Sequence, residues 1–249
     1  MRAFAFLALW REFAMHNCNV KNFLLLSVTV AILLVASPAM AVEKGVAERW
    51  SVQLATTTGM LKAASYADAL PILRKLVDDM LSRLGPSDET TYVLVVPLIQ
   101  IALAEEGLGD HDAAVWHWDM AQTLYPKAAD ADLSMFGRPG AALKQSPLVD
   151  PNPSKCSHEK GEPLAKILKP VSPEYPEGAR LFRARGIVIM DLKIKSDGSP
   201  AEPRVVKPLA TPLTYAALEA TRGWKFAPPL VEGKPVESRF CLTINYKLN

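Results

Sequence analysis

Histidine and cysteine are scarce in this chain of 249 residues, which has 4 histidines and 3 cysteines. The histidines are scattered, and none stands beside a nucleophile or a ligand cluster at the spacing that catalysis or metal binding requires. Asp110, His111 and Asp112 are adjacent, but they fall in a turn between predicted helices, where Asp caps a helix and stays solvated. We therefore expect no enzymatic activity, no metal site and no cofactor.

A large excess of charge of one sign is also lacking. The formal net charge is +2 and charged residues make up 22% of the chain, so no strong field favours nucleic acid or anionic lipid as a partner. The 20 prolines cluster after residue 138, and glycine is rare before it. This asymmetry predicts a helical first half and a turn-rich second half that contains strands.

Long apolar runs are confined to the amino terminus. Lys21 precedes an apolar run over residues 23–36, and small residues before Ala41 resemble a cleavage site, which together predict a secretory signal peptide within residues 1–41. The alternative is an uncleaved membrane anchor, because residues 23–42 reach the spanning length of about 20 residues. The stretch before the apolar run, residues 1–20, is unusually long for the first region of a signal peptide, so translation from Met15 is a second alternative. Either way, we expect the rest of the chain to be exported.

Cysteine usage agrees with export. Cys18 lies in the targeting segment, so only Cys156 and Cys241 remain beyond it. In an oxidising compartment two such cysteines predict one disulfide. Two unpaired thiols are the alternative.

Residues 42–136 show helix formers and apolar residues at helical spacing, and the later part resembles a tetratricopeptide repeat. Its first helix is predicted over residues 92–107, and its second carries a face of small residues around Trp118. A degenerate copy lies about 45 residues upstream. The resemblance implies a protein-binding function. We expect Trp118 to be in the core and Trp116, two residues away, to be the better candidate for an exposed contact.

Residues 137–163 contain five prolines and no apolar period, which predicts an extended linker. Residues 164–249 then show a helix from Glu177, an alternating strand over 186–195 and an Asp197-Gly198 hairpin turn. Next come a short strand over 204–207 bounded by prolines, a helix over 211–222, and a last alternating strand after Arg239. The expected fold class is α+β: an α-helical domain, a linker, and a carboxy-terminal domain of two helices on a three-stranded sheet.

The ordered motifs of this last region resemble the carboxy-terminal domain of the TonB family. They are Tyr175-Pro176, Gly186, Asp197-Gly198, Ala216-Ala217, Trp224-Lys225-Phe226, Pro228, Gly233-Lys234-Pro235-Val236 and the terminal strand. The resemblance implies a periplasmic protein of the cell envelope whose last strand pairs with an extended peptide of an outer-membrane transporter, in energised transmembrane transport. The partner-binding residues it implies are Arg239, Phe240, Cys241, Leu242, Thr243, Ile244, Asn245, Tyr246 and Lys247.

The chain departs from the family pattern in two ways. Its amino-terminal segment resembles a cleavable signal, whereas family members keep an anchor that engages a proton-driven motor. A helical domain stands where they carry a long spacer. A periplasmic interaction scaffold without a role in energy transduction is therefore the alternative function, and contact with the inner membrane is expected only if the segment is uncleaved.

Overall fold

The computed structural model describes residues 44–83, 89–146, 153, 155–157 and 162–248. The predicted signal peptide or anchor, at residues 1–41, lies outside the described residues. Five α-helices come first: α1 (Lys44–Lys62), α2 (Tyr66–Arg83), α3 (Glu89–Leu108), α4 (His111–Leu124) and α5 (Gly137–Gln145). In the described parts of the chain, no helix is long and apolar enough to cross a membrane.

The carboxy-terminal part contains two helices and seven strands among the described residues. The helices are α6 (Glu177–Leu181) and α7 (Thr211–Arg222). The strands are β1 (Lys166–Lys169), β2 (Gly186–Ile194), β3 (Pro200–Lys207), β4 (Lys225–Ala227), β5 (Leu230–Val231), β6 (Lys234–Pro235) and β7 (Ser238–Tyr246). The α+β class expected from the sequence is therefore confirmed.

Helices α3 and α4 form a hairpin where the sequence predicts one. Gly109 takes a φ of +87° in the turn, and the Asp110 side chain caps α4 by accepting a hydrogen bond from the Ala113 N–H at 3.2 Å. Trp118 is buried between the helices, as expected. Gly107 touches the ring of Tyr66, and a Cβ at that position would overlap the ring.

The expected exposure of Trp116 is wrong, because only 4% of this residue is accessible to solvent. Helix α4 packs against α3 on one side and against strand β3 on the other. The sequence indicates the first contact through its small residues. The second joins segments far apart in the chain, so it leaves no local pattern.

Residues 137–145 are helical, which corrects the extended conformation predicted for the start of the 137–163 segment. Pro139 lies in the first turn of α5, where a missing N–H costs no hydrogen bond. Leu143 is fully buried, and α5 packs on α3. The segment is rich in proline, yet its few apolar residues suffice to hold one short helix on the bundle.

The main sheet has three antiparallel strands in the order β3-β2-β7. One face of β2 is fully buried against α7, through Val188, Met190, Leu192 and Ile194. The Asp197-Gly198 turn joins β2 to β3, with Gly198 at a φ of +80°. Gly198 also accepts a hydrogen bond from the Phe226 N–H at 3.0 Å, an approach that leaves no room for a Cβ.

Strand β3 is longer than the sequence predicts, because it starts at Pro200 and includes Pro203. The register against β2 shifts at this point, and Glu202 takes a φ of +45°, so a bulge accommodates the proline. Two small ladders, β1 with β4 and β5 with β6, were not predicted. They are too short to show an alternating pattern.

Candidate functional site

Strand β7 lies at one end of the main sheet and pairs only with β2 among the described strands. The pairing runs without a shift from Gly186 opposite Tyr246 to Ile194 opposite Ser238. In the described parts of the chain, no backbone group bonds to the outer side of β7. This strand therefore has an open edge, which is the feature that strand addition requires.

The hairpin turn determines which backbone groups face that edge. The Lys195 N–H donates to the Ser199 carbonyl and the Lys195 carbonyl accepts from the Gly198 N–H, both at 2.9 Å, so the Lys195 backbone faces β3. Alternate residues of a strand direct their backbone groups to opposite neighbours, so Leu192 faces β7 and bonds to Phe240. The same alternation along β7 directs the N–H and C=O groups of four residues to the open side: Arg239, Cys241, Thr243 and Asn245.

The side chains of the predicted partner-binding residues divide between the two faces of β7. Leu242, Ile244 and Tyr246 are buried, and Phe240 packs at the margin of the core with its ring centroid 5.3 Å from that of Phe226. The Tyr246 hydroxyl donates to the Leu213 carbonyl at 2.8 Å, and burial raises the pKa of this tyrosine. These inward side chains therefore support the fold.

The outward side chains of β7 are accessible to solvent. Cys241, Thr243 and Asn245 are exposed, as is Lys247 just beyond the strand, and Arg239 is half-buried. Partner binding by these nine residues remains a prediction. A strand bound at this edge would form hydrogen bonds with the backbone of β7, and the exposed side chains would add further contacts.

The other edge of the sheet is covered by the chain itself. Thr123 of α4 donates its hydroxyl to the carbonyl of Pro203 in β3, at 2.9 Å. Asp112 of α4 forms an ion pair with Lys195 at 2.8 Å. The two edges are thus not equivalent, and only β7 is open along its length among the described residues.

A charged cluster lies on the outward face of the sheet beside β7, and sequence reasoning missed it. Asp191 is fully buried, with its Oδ2 in contact with Arg204 and 3.1 Å from Nη2 of Arg239. The Ser157 N–H donates to the same oxygen at 3.3 Å. Asp191 stands on the polar face of an alternating strand, where the pattern predicts exposure. The cluster follows only from the strand register and from the segment that covers it.

The disulfide between Cys156 and Cys241 is present, as predicted. It fastens residues 155–157 over the outward face at the middle of β7, because Cys241 stands opposite Asp191 in the register. Ser157 is therefore held at the charged cluster. This link joins the segment before the sheet to the strand with the open edge.

A second buried charged cluster joins the helical part to α7. His117 lies 2.6 Å from Glu105 through Nδ1 and 2.9 Å from Glu219 through Nε2. Burial by itself lowers the pKa of His117, but hydrogen bonds to Glu105 and Glu219 and their charges outweigh burial and raise it to about 9. Burial raises the pKa of Glu219, but the hydrogen bond and charge of His117 lower it overall. His117 is therefore cationic at neutral pH and holds two carboxylates.

The carboxy-terminal region is similar to regions of known proteins. Residues 171–248 match the family described as Gram-negative bacterial TonB protein C-terminal. The protein named "Protein TonB" from Vibrio cholerae serotype O1 is 32% identical over 85 residues, which are 34% of this chain and 35% of that protein. The resemblance expected from the motifs is thus confirmed for this region, and the chain spans about a third of that relative's length. The matches show that residues 171–248 are similar to the carboxy-terminal region of TonB.

Proposed function

We propose that this protein is periplasmic and binds an extended segment of an outer-membrane transporter along the open side of β7. The observation that carries the proposal is the strand order β3-β2-β7, which leaves β7 outermost. Four residues of β7 direct backbone groups outward, and each peptide group can bond to a strand laid beside it. The match of residues 171–248 to the TonB carboxy-terminal region supports this partner class.

Two further observations support β7 as the docking strand. The opposite edge carries the Thr123–Pro203 hydrogen bond, so an incoming strand at β3 would have to displace α4. The inward side chains of β7 are committed to the core, which fixes the strand before a partner arrives. A preformed edge lowers the ordering cost of binding.

Proline at Asn245 tests the proposal. Asn245→Pro removes an N–H that faces the open side, and it leaves the bonds of β7 to β2 intact, since proline is tolerated on an edge strand. The probe is a synthetic peptide that copies the TonB-binding segment of an outer-membrane transporter. We expect Asn245→Pro to weaken its binding about tenfold, because an unpaired peptide carbonyl costs about 1–3 kcal/mol.

Asn245→Ala is the matched control, because it removes the same side chain and keeps the backbone donor. It should bind the peptide like the unmodified protein. Circular dichroism and thermal unfolding should show that both variants are folded. If folded Asn245→Pro binds the peptide as tightly as Asn245→Ala does, docking at β7 is excluded.

A protein-interaction scaffold with no role in energy transduction is the second candidate function. It is favoured by the packing of α4 on β3, because a helical part held against the sheet does not act as an extended spacer. Cell fractionation with amino-terminal sequencing separates the two. A mature protein that starts at Val42 in the soluble periplasm supports the scaffold. A membrane-embedded amino terminus supports a transducer.

A further inference from the structure

A cleft of about 650 Å³ lies between the helical part and the sheet, away from β7. Its walls are α4, the end of α5, the turn between β2 and β3, and the residues around Arg222 and Lys225. This volume is within the range of ligand-binding pockets, about 300–1,000 Å³. Val115, Ala142 and Pro200 give the lining an apolar part.

Two polar side chains on the α4 wall are buried and have no hydrogen-bond partner in the described parts of the protein. They are Trp116, through Nε1, and Asp119, through Oδ1, with 4% and 1% of each residue exposed. Both line the cleft. They are three residues apart on one helix, so they lie on the same face. Because native proteins pair nearly all buried polar groups, two neighbouring unpaired groups that line one cleft favour a ligand that pairs with both.

The two groups specify complementary chemistry. A carboxylate accepts hydrogen bonds and favours a cation, whereas the indole N–H only donates. Burial and the charge of Glu202 raise the pKa of Asp119 to about 8, so this end of the cleft is poised to gain from a positive charge. Arg222 and Lys225 line another part of the cleft and favour an anion.

A peptide with a free amino terminus carries this set of groups. Its ammonium group and its first carbonyl oxygen are separated by two carbon atoms, Cα and the carbonyl carbon, so both can reach protein groups one helical turn apart. A polyamine has no acceptor for Trp116, and a fatty acid has no positive charge to stabilise the ionised form of Asp119. A short peptide also brings a carboxylate that Arg222 and Lys225 can bind.

We propose that this cleft binds the amino-terminal end of a short peptide, with the ammonium group on Asp119 and the first carbonyl on Trp116. The bound peptide lies between α4 and the β2–β3 turn, and its carboxylate points to Arg222 and Lys225. This site is separate from the open edge of β7. A partner can therefore occupy β7 while the cleft is filled.

Isothermal titration calorimetry of the full chain with the tripeptide Ala-Leu-Ala tests the site. We expect saturable binding. Acetylation of the peptide amino group should weaken it at least about tenfold, because a hydrogen bond to a charged group contributes about 1.5–3 kcal/mol. Amidation of its carboxylate should weaken binding about threefold, because the rim cations are more exposed.

Single-residue variants test which side chains contact the peptide. Asp119→Asn should weaken Ala-Leu-Ala about tenfold and Trp116→Phe about threefold to tenfold, by loss of a charged and a neutral hydrogen bond respectively. Asp130→Asn, an exposed carboxylate outside the cleft, is the matched control and should bind like the unmodified chain. Thermal unfolding verifies that each variant is folded. No binding at millimolar peptide, or equal binding of the acetylated peptide, overturns the proposal, as does undiminished binding by folded Asp119→Asn.

A longer peptide that begins with Ala-Leu-Ala distinguishes the sources of such an end. A longer peptide that binds like the amidated tripeptide, about threefold more weakly than Ala-Leu-Ala, identifies the amino terminus of a protein as a ligand of the cleft. If the longer peptide does not bind, the ligands of the cleft are free oligopeptides. Acetylation of the amino terminus must weaken the binding of both peptides, since the ammonium group is common to both sources.

Discussion

His117 Nε2 lies 2.9 Å from Glu219 Oε1, and this ion pair joins helix α4 to helix α7. The same imidazole contacts Glu105 of α3, which is also 3.1 Å from Arg74. Helices α3, α4 and α7 thus meet at a single buried histidine, and α2 joins them through the Arg74–Glu105 pair. Their attachment is therefore sensitive to its protonation.

The stability contributed by His117 should fall as pH rises. The pKa of His117 is raised from 6.5 to about 9 in the folded protein, so the contribution is fully present below pH 6.5 and is lost as pH rises through 9. The change corresponds to about 3 kcal/mol. Urea unfolding of the unmodified chain and of His117→Gln should show a difference in free energy that shrinks over this window.

His111→Gln is the matched control for that measurement. His111 lies on the same helix but is exposed, so its pairing with Glu106 contributes less than about 1 kcal/mol. The difference in free energy of unfolding between His111→Gln and the unmodified chain should therefore be small. A difference for His117→Gln that stays constant from pH 6 to pH 9 would contradict the role given to His117.

Asp119→Asn should stabilise the free protein, although it weakens peptide binding in the cleft. The pKa of Asp119 is raised from 3.8 to about 8, so ionisation of the unfolded chain makes this group destabilising as pH rises through that interval. We expect the variant to melt about 5 °C higher at pH 8 and at an unchanged temperature at pH 3.5. Differential scanning calorimetry at the two pH values measures both. An equal or lower melting temperature at pH 8 would show that Asp119 has a partner.

Asp191→Ala should destabilise the carboxy-terminal region strongly. It leaves Arg204 and Arg239 facing each other without the buried carboxylate, a loss of about 3–5 kcal/mol for a broken buried ion pair. Asp112→Ala removes an exposed pair with Lys195 and should cost less than about 1 kcal/mol. Urea unfolding of the two variants gives the comparison, and equal costs would refute the assignment of Asp191 as the centre of the cluster.

Loss of the disulfide should lower stability by about 4.6 kcal/mol in the chain-entropy model, since the bond closes a loop with a sequence separation of 85 residues. The variant that replaces Cys156 and Cys241 with serine and the reduced unmodified chain should unfold at the same urea concentration. Addition of reductant to the double variant is the control and should change nothing. A reduced chain that unfolds like the oxidised one would show that residues 155–157 are held by other contacts.

The carboxy-terminal region was predictable because its signals are local. The alternation of β2, the Asp197-Gly198 turn and the helix over 211–222 each arise from neighbours in the chain, and the structure places all three as expected. The Cys156–Cys241 bond followed from counting cysteines in a chain that the sequence predicts to be exported.

The features that the sequence did not reveal all depend on distant contacts. Trp116 is buried by a strand that lies far along the chain, and Asp191 is buried by a segment that a disulfide holds in place. The open side of β7 needed the hydrogen bonds of the Lys195 turn and an unshifted register. Such relationships depend on tertiary packing and produce no periodic pattern of apolar and polar residues in the sequence.

Coverage of β3 by α4 has a consequence for self-association. Among the described strands of the main sheet only β7 has an open edge, so two molecules that meet through this sheet would pair β7 with β7 and form one continuous six-stranded layer about a twofold axis. Such a dimer would occupy the edge that we propose as the docking site, so crowding of the protein would itself reduce its capacity for partners.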